Sequence, residues 1–300
     1  MSKHAKPLSV GSTIGVMAPS SRIGRADLEA ACGLLVSKGF KVAIHPQVVH
    51  YAGPEHSTQF TGTDEEKLKA FHDFVKDPNI HAILFATGGQ RALRLLDGID
   101  YKLVAANPKI ITGFSDNTSI LNAIAARTGI VTWHGPTLRR MLQNKQLDFN
   151  LRLLGGEETS IPLHGAQILQ GGSPKGHLVG GNLSAFSMLN DDDMPKIKDA
   201  ILFLEDVGEE LTTVDRHLCA LRRRGIFDKA AAVIFGQFTN MKDTGTPFGL
   251  SFEDVVRQNT QGFIGPILIN APFGHGDDLV ALPIGAKAAL DGTTLTISAF

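Results

Sequence analysis

Apolar runs and amphipathic stretches alternate along the first half of the chain. Short apolar runs that are typical of buried strands lie at residues 14–18, 41–45, 80–86, 109–112 and 130–132. Between these runs the apolar positions recur with a helical period, as at residues 64–76, where Leu68, Phe71 and Val75 share one face. Repeated strand–helix units of this kind predict a parallel sheet with helices on both faces.

The pattern changes near the middle of the chain. Glycine and proline break every periodic pattern from residue 154 to residue 176, so we interpret 154–176 as a linker between two domains, 1–153 and 177–300. The second domain mixes strands with helices and ends in a hairpin that turns at Asp291-Gly292. The predicted fold class is therefore α/β, with a parallel sheet in the first domain.

The composition is that of an ordinary globular protein. The chain has 300 residues, of which 43% are hydrophobic, and a formal net charge of −1. This charge balance predicts neither nucleic acid nor an anionic membrane as a partner. The two cysteines lie far apart and indicate neither a disulfide framework nor a metal site. No signal peptide or membrane-spanning apolar run is evident, so we expect a cytoplasmic protein.

Three polar turns follow predicted strands of the first domain, at the edge where parallel sheets place their binding sites. They are Pro19-Ser20-Ser21, Thr87-Gly88-Gly89 and Gly113-Phe114-Ser115-Asp116. In the third turn an apolar strand stops at a glycine, a serine follows, and a helical pattern begins at once, which is the layout of a nucleophile elbow. The usual second glycine is replaced by Asn117. Ser115 is therefore either a catalytic nucleophile or a helix cap.

A nucleophilic serine needs a general base, and His275 is the histidine whose surroundings favour that role. Glycines flank it on both sides, Gly274 and Gly276, which permits unusual backbone angles and gives the ring open access to a cleft. The alternative is a surface histidine in a turn. Asp277 and Asp278 also raise the possibility of a metal site, but no second histidine stands at a ligand spacing.

The base in turn needs an acid that orients it, and Glu205 is the candidate. It ends an apolar predicted strand, where a carboxylate without a partner is costly to bury. The alternatives are that Glu205 only closes the strand at the surface, or that Asp206 or Glu209 takes the role. The order of Ser115, Glu205 and His275 along the chain is that of the α/β-hydrolases.

These motifs together resemble the muropeptide LD-carboxypeptidases, a family of serine peptidases. The matching segments are Gly113-Phe114-Ser115-Asp116, His134-Gly135-Pro136, Gly180-Gly181-Asn182-Leu183-Ser184, the stretch from Phe203 to Glu209, Asp215-Arg216, Gly236-Gln237-Phe238 and Pro272-Phe273-Gly274-His275-Gly276. They run in the family's order from Ile14 to the C-terminus, so the resemblance covers nearly the whole chain.

The resemblance implies a flavodoxin-like first domain and a smaller, β-rich second domain, with the active site in the cleft between them. It also implies that Ser115 is the nucleophile, His275 the general base and Glu205 the orienting acid, without a metal or organic cofactor. Family members are typically cytoplasmic homodimers. They remove the terminal D-alanine from the tetrapeptide of recycled muropeptides, so a muropeptide is the expected substrate and a homodimer the expected assembly.

The oxyanion of such a reaction is expected at the backbone N–H of Asp116, with a second donor from the Gly88-Gly89 turn. Family members usually carry Arg-Gly-Gly-Tyr-Gly at this turn, whereas this chain has Thr87-Gly88-Gly89-Gln90-Arg91. Both glycines remain, but the arginine and the tyrosine are replaced. This departure leaves the choice of substrate open.

Two other functions compete with this one. A hydrolase of the microcin-C-immunity type uses the same triad on aminoacyl-nucleotide toxins, and an aromatic platform for adenine would favour it. Trp133 is the only tryptophan, and we interpret it as a core residue. A binding module without catalysis is the third possibility, although Thr87-Gly88-Gly89 is too short for a dinucleotide fingerprint.

Overall fold

The chain folds into two β-sheets, each packed against helices, and the structure, a computed structural model, describes residues 4–298. Buried hydrophobic side chains of both sheets belong to one continuous core. None of the helices within the described range has the length and apolar character that crossing a membrane requires.

The elements of the first half, in chain order, are β1 (Thr13–Met17), α1 (Arg25–Ser37), β2 (Lys41–Ile44), α2 (Pro46–Tyr51), α3 (Asp64–Lys76), β3 (Ala82–Phe85), α4 (Tyr101–Ala106), β4 (Ile110–Gly113), α5 (Thr118–Thr128), β5 (Thr132–His134), α6 (Leu138–Met141) and α7 (Leu147–Leu154). Those of the second half are β6 (Ser160–Pro162), β7 (Gln167–Gln170), β8 (Lys175–Asn182), α8 (Leu183–Ser187), β9 (Ala200–Val207), α9 (Leu211–Arg223), α10 (Ile226–Lys229), β10 (Ala232–Thr239), α11 (Phe252–Asn259), β11 (Ile267–Ile269), β12 (Leu282–Ile284), β13 (Lys287–Asp291) and β14 (Thr294–Ile297).

The first sheet has the strand order β2-β1-β3-β4-β5-β12, and its first five strands are parallel. This is the flavodoxin-like order, in which the winding direction reverses between β1 and β3 and leaves a crevice at the carboxyl ends of those strands. The predicted parallel α/β sheet is therefore confirmed, and its crevice lies where the three polar turns meet.

Local sequence explains why α3 forms where the pattern predicts it. Thr63 and Glu66 form a capping box at the N-terminus, and Lys76 lies in the last turn, where a cation complements the helix dipole. Phe71 and Val75 are buried on the face that packs against the sheet. The helix predicted after the Gly88-Gly89 turn differs, since the chain forms a 3-10 helix at Ala92–Gly98 before α4 begins.

The second sheet has the order β6-β14-β13-β8-β9-β10-β11-β7, with a parallel centre from β8 to β11 and antiparallel strands on either side. The segment 154–176, interpreted above as a linker, contributes the two edge strands β6 and β7 and the first residues of β8. Strands of three and four residues between glycines and prolines are too short for a periodic pattern to reveal. The terminal hairpin forms from β13 and β14, as predicted.

The C-terminal part of the chain returns to the first sheet before it ends. Strand β12 pairs antiparallel with β5, with Leu282 opposite His134. Just before β12, two buried asparagines of the first half bind the backbone. Asn144 accepts from Leu279 N at 3.1 Å, and Asn150 accepts from Ala281 N at 2.8 Å. Both side chains also donate to the Leu279 carbonyl, at 2.9 and 2.7 Å.

We expect Asn150→Ala to lower the free energy of unfolding by about 1–3 kcal/mol, because it leaves the buried Ala281 N–H without a partner and removes one of the two hydrogen bonds to the Leu279 carbonyl. Denaturant unfolding followed by circular dichroism measures this change. Gln261→Ala, at an exposed amide, is the matched control and is expected to change the stability by less than about 0.5 kcal/mol. Equal stability of the two variants would contradict the structural role given to Asn150.

Candidate active site

Ser115 lies in a sharp turn between β4 and α5. Its φ is +63°, a left-handed conformation that is rare for a residue with a side chain. The turn is crowded, since a Cβ on Gly113 would lie 2.7 Å from the Phe85 ring. This strained strand-to-helix turn has the geometry of a nucleophile elbow, although the residue after next is Asn117 and not glycine.

The three residues singled out across the two halves of the chain lie in contact. His275 Nε2 is 3.2 Å from Ser115 Oγ, and His275 Nδ1 is 2.7 Å from Glu205 Oε2. A carboxylate beside Nδ1 favours the tautomer that carries its proton there, which leaves Nε2 to accept from the serine hydroxyl. The arrangement has the contacts that a nucleophile, a base and an orienting acid require.

Glu205 lies near the carboxyl end of β9 and is completely buried. Burial raises the pKa of the Glu205 carboxyl, while the neighbouring His275 opposes the rise. Asp206, one of the two competing acids, has other partners. Asp206 accepts from Asn182 at 2.8 Å and from Ser184 Oγ at 2.7 Å, because successive side chains of a strand point to opposite faces.

The His275 loop requires glycine at position 274, while a side chain at Gly276 would displace the Gln237 amide. A Cβ on Gly274, whose φ is +111°, would lie 2.9 Å from Glu205 Cβ, and one on Gly276 would lie 1.6 Å from Gln237 Oε1. The Phe114 ring packs against the imidazole with 4.7 Å between the centroids. The neighbouring carboxylate Asp277 lies 3.6 Å from Arg140, and Asp278 lies 3.3 Å from Gln146 Nε2.

Comparison with known proteins finds matches on both halves of the chain. Residues 14–135 match the model of the LD-carboxypeptidase N-terminal domain, and residues 175–290 match that of the LD-carboxypeptidase C-terminal domain. The chain belongs to the LD-carboxypeptidase family. The resemblance drawn from the sequence motifs is thereby confirmed, and so is the class of enzyme, a serine-type LD-carboxypeptidase.

Three relatives show the breadth of the family. The chain is 33% identical to the probable murein peptide carboxypeptidase of Bacillus subtilis, over 95% of this chain and 91% of that protein. It is 28% identical to the microcin C7 self-immunity protein MccF of Escherichia coli, over 98% and 94%. A solved muramoyltetrapeptide carboxypeptidase from Oxalobacter formigenes superposes with a TM-score of 0.82 at 26% identity, covering 96% of this chain and 99% of that one.

The Gly88-Gly89 turn lies beside Ser115. A Cβ on Gly88 would lie 2.8 Å from Ser115 Cβ and 3.1 Å from Ser115 Oγ, so the Gly88 backbone lies directly against the serine. Within residues 4–298, the backbone N–H groups of Gly88, Gly89 and Asp116 donate to no protein acceptor. These free donors beside the hydroxyl fit an oxyanion site.

The side chain of Asp116 holds the Ser115 turn in place through two hydrogen bonds. Its Oδ2 accepts from Ser20 Oγ at 2.6 Å and from the Ala92 backbone at 2.8 Å. Burial raises the pKa of the Asp116 carboxyl, and these two hydrogen bonds oppose the rise. The turns after β1, β3 and β4 thus meet at one carboxylate, which holds the Ser115–Asp116 peptide in place.

Arg140 and His134 are neighbours of the site that the sequence patterns did not predict as site residues. Arg140 of α6 donates from Nη2 to the carbonyls of His275, at 3.0 Å, and Gly276. His134 is completely buried, and burial lowers its pKa to about 3, so it stays neutral. Its ring packs edge-on against Phe203 at 5.4 Å. In the sequence, only the family resemblance of His134-Gly135-Pro136 indicates His134, and no pattern indicates Arg140.

Ser115 and His275 line a cleft of about 580 Å³ at the carboxyl edge of the first sheet. Its walls come from the turns after β1, β3 and β4, from the loop between α2 and α3, from the start of α6, from the end of β9 and from the His275 loop. Phe114 and His275 are the ring side chains on its wall within the described part of the chain. Trp133 is buried in β5, as expected of a core residue.

We expect Gly88→Ala to lower kcat/KM by about 100-fold, because the new methyl group displaces Ser115 by a fraction of an ångström to an ångström. Steady-state hydrolysis of a disaccharide tetrapeptide measures the loss. Gly33→Ala, in α1 with open space around its Cβ, is the matched control and is expected to keep full activity. Full activity of the Gly88 variant would contradict the close approach to Ser115.

We expect Glu205→Gln to lower kcat by about 10³- to 10⁴-fold, because a neutral amide neither fixes the tautomer nor stabilises an imidazolium. The same variant is expected to have a higher free energy of unfolding than the wild-type protein at pH 8. Burial raises the pKa of Glu205 in the folded state, so folding penalises its charged form.

The stability difference has a defined pH dependence. Between the raised pKa of Glu205 in the folded state and its ordinary pKa in the unfolded state, the folded wild-type protein binds more protons than the unfolded one. As the pH falls through this window, the wild-type protein becomes more stable, and the stability difference between it and Glu205→Gln shrinks. Denaturant unfolding between pH 8 and pH 4 measures it. A wild-type protein that is the more stable of the two at pH 8 would contradict the assignment of a desolvated carboxylate.

Proposed function

We propose that this family member removes the terminal D-alanine from muropeptide tetrapeptides in the cytoplasm, by Ser-His-Glu acyl-enzyme catalysis. The observation that carries the proposal is the line of contacts from Glu205 through His275 to Ser115, which opens on the cleft. The relatives named as murein peptide and muramoyltetrapeptide carboxypeptidases support the substrate. A homodimer is part of the proposal on the ground of the family resemblance.

In the first half-reaction Ser115 Oγ attacks the carbonyl carbon of the scissile peptide bond. His275 Nε2 takes the hydroxyl proton, and Glu205 stabilises the imidazolium that forms. The negative charge on the carbonyl oxygen is bound by the N–H groups of Asp116 and the Gly88-Gly89 turn. His275 then gives the proton to the leaving nitrogen, and D-alanine departs.

In the second half-reaction a water molecule attacks the ester on Ser115. His275 takes a proton from the water and returns it to Ser115 Oγ as the tripeptide leaves with a free carboxylate. The strained φ of Ser115 holds the hydroxyl at the mouth of the cleft through both steps. Complete burial keeps bulk water from the Glu205 carboxylate, which strengthens its interaction with the imidazole.

A second candidate function is hydrolysis of aminoacyl-nucleotide toxins. It is supported by the 28% identity to MccF and by the replaced arginine and tyrosine around Gly88-Gly89. A solved complex of MccF with glutamyl sulfamoyl guanosine also superposes with a TM-score of 0.88. The cleft wall gives this function less support, because Phe114 is 4% exposed and offers little face to a nucleobase.

The two functions are separated by a parallel assay. The protein is incubated with a disaccharide tetrapeptide and, separately, with glutamyl sulfamoyl adenosine, and products are followed by liquid chromatography and mass spectrometry. We expect D-alanine release at a kcat/KM at least about 100-fold above that for the sulfamoyl compound, and loss of release in His275→Ala. Faster cleavage of the sulfamoyl compound would support the second function and reject the first.

A further inference from the structure

Three arginines line the cleft in front of Ser115, and its described wall holds no acidic side chain. Among the described residues of its wall are Arg22, Arg139 and Arg140, and none is an aspartate or a glutamate. The chain as a whole has a formal net charge of −1, so this concentration of guanidinium groups is local. A cleft of this charge favours an anionic substrate.

We infer that Arg22 and Arg139 bind the terminal carboxylate of the substrate and make the enzyme a strict carboxypeptidase. The inference rests on the proposed function and names the residues that recognise the leaving D-residue. A carboxylate accepts two parallel hydrogen bonds from one guanidinium, so arginine suits this recognition better than lysine.

Arg140 is not available for this role. Its Nη2 donates to the carbonyls of His275 and Gly276, and its Nη1 donates to Gln143 at 3.1 Å. Asp277 Oδ1 also lies 3.6 Å from Arg140 Nη2. Arg140 therefore positions the His275 loop, and its charge is partly compensated.

Arg22 and Arg139 keep free hydrogen-bond donors. Arg22 uses Nε to donate to the Thr58 carbonyl at 2.7 Å, and its terminal nitrogens have no acceptor within the described range. Arg139 is exposed and forms no ion pair with a carboxylate of residues 4–298, although Asp27 lies in the groove on its other side. Both guanidinium groups can therefore bind an incoming anion.

The backbone places both arginines beside the Gly88-Gly89 turn. Arg139 N donates to the Ala86 carbonyl at 3.1 Å, two residues before the turn. Ser21 N, next to Arg22, donates to the Gly88 carbonyl at 3.2 Å. The terminal carboxylate lies only two bonds beyond the scissile nitrogen, so a substrate with its carbonyl oxygen at the turn brings its carboxylate within about 4 Å of the reacting carbon.

Arg91, which lies two residues after Gly89, pairs its side chain with an acidic residue. Its Nη2 lies 3.5 Å from Asp64, which also pairs with Arg94 at 2.9 Å. Arg91 does not contribute to the cleft wall. The arginines of the cleft wall therefore come from the turn after β1 and from α6.

The test compares the disaccharide tetrapeptide as a free acid and as its C-terminal amide. We expect the wild-type protein to prefer the acid, and Arg139→Gln and Arg22→Gln to lower kcat/KM for the acid by about 10- to 100-fold with little change for the amide. Arg91→Gln is the matched control and should keep the wild-type preference. Thermal unfolding of each variant shows that the fold is kept.

The outcomes separate this inference from the proposed function. Equal loss on the acid and the amide in both variants, or a selective loss in Arg91→Gln, would overturn carboxylate recognition by Arg22 and Arg139 while leaving the carboxypeptidase intact. A wild-type protein that does not hydrolyse the free acid would overturn the proposed function itself, and this inference with it.

Discussion

The hydrogen bond between Glu205 and His275 is the interaction on which the rest of the site depends. Glu205 is completely buried at the end of an apolar strand, where a charged carboxylate is tolerated only with a close partner. That partner comes from a loop 70 residues away, which approaches the strand closely because Gly274 has no side chain. The same imidazole must also reach Ser115, so one ring joins the two halves of the molecule.

Several contacts hold that ring in place across the two sheets. Strand β12 returns to the first sheet, Asn144 and Asn150 bind the segment before it, and Arg140 binds the carbonyls of the histidine loop. On the opposite side, Asp116 ties the serine turn to the turns after β1 and β3. The candidate site is thus a property of the interface, since neither sheet alone contains a complete set of contacts.

The sequence predicts much of this arrangement for identifiable reasons. Short apolar runs predict the parallel strands, and a carboxylate at the end of such a run and a histidine between glycines single out Glu205 and His275. Strands of three residues such as β12, and contacts such as that of Asn150 with Leu279, leave no local pattern, because their partners lie more than a hundred residues away. The catalytic roles remain predictions that the contacts support. The segment 154–176, predicted as a linker, instead forms strands of the second sheet, and β12 joins the first sheet.

The most direct test of the central claim is the rate of D-alanine release by Ser115→Ala. The account predicts a loss of at least about 1,000-fold in kcat with the unfolding transition unchanged, because the hydroxyl that forms the acyl-enzyme is gone while its surroundings remain. Release at a rate near that of the wild-type protein would contradict the account, since it would mean that the serine at the elbow does not attack the substrate.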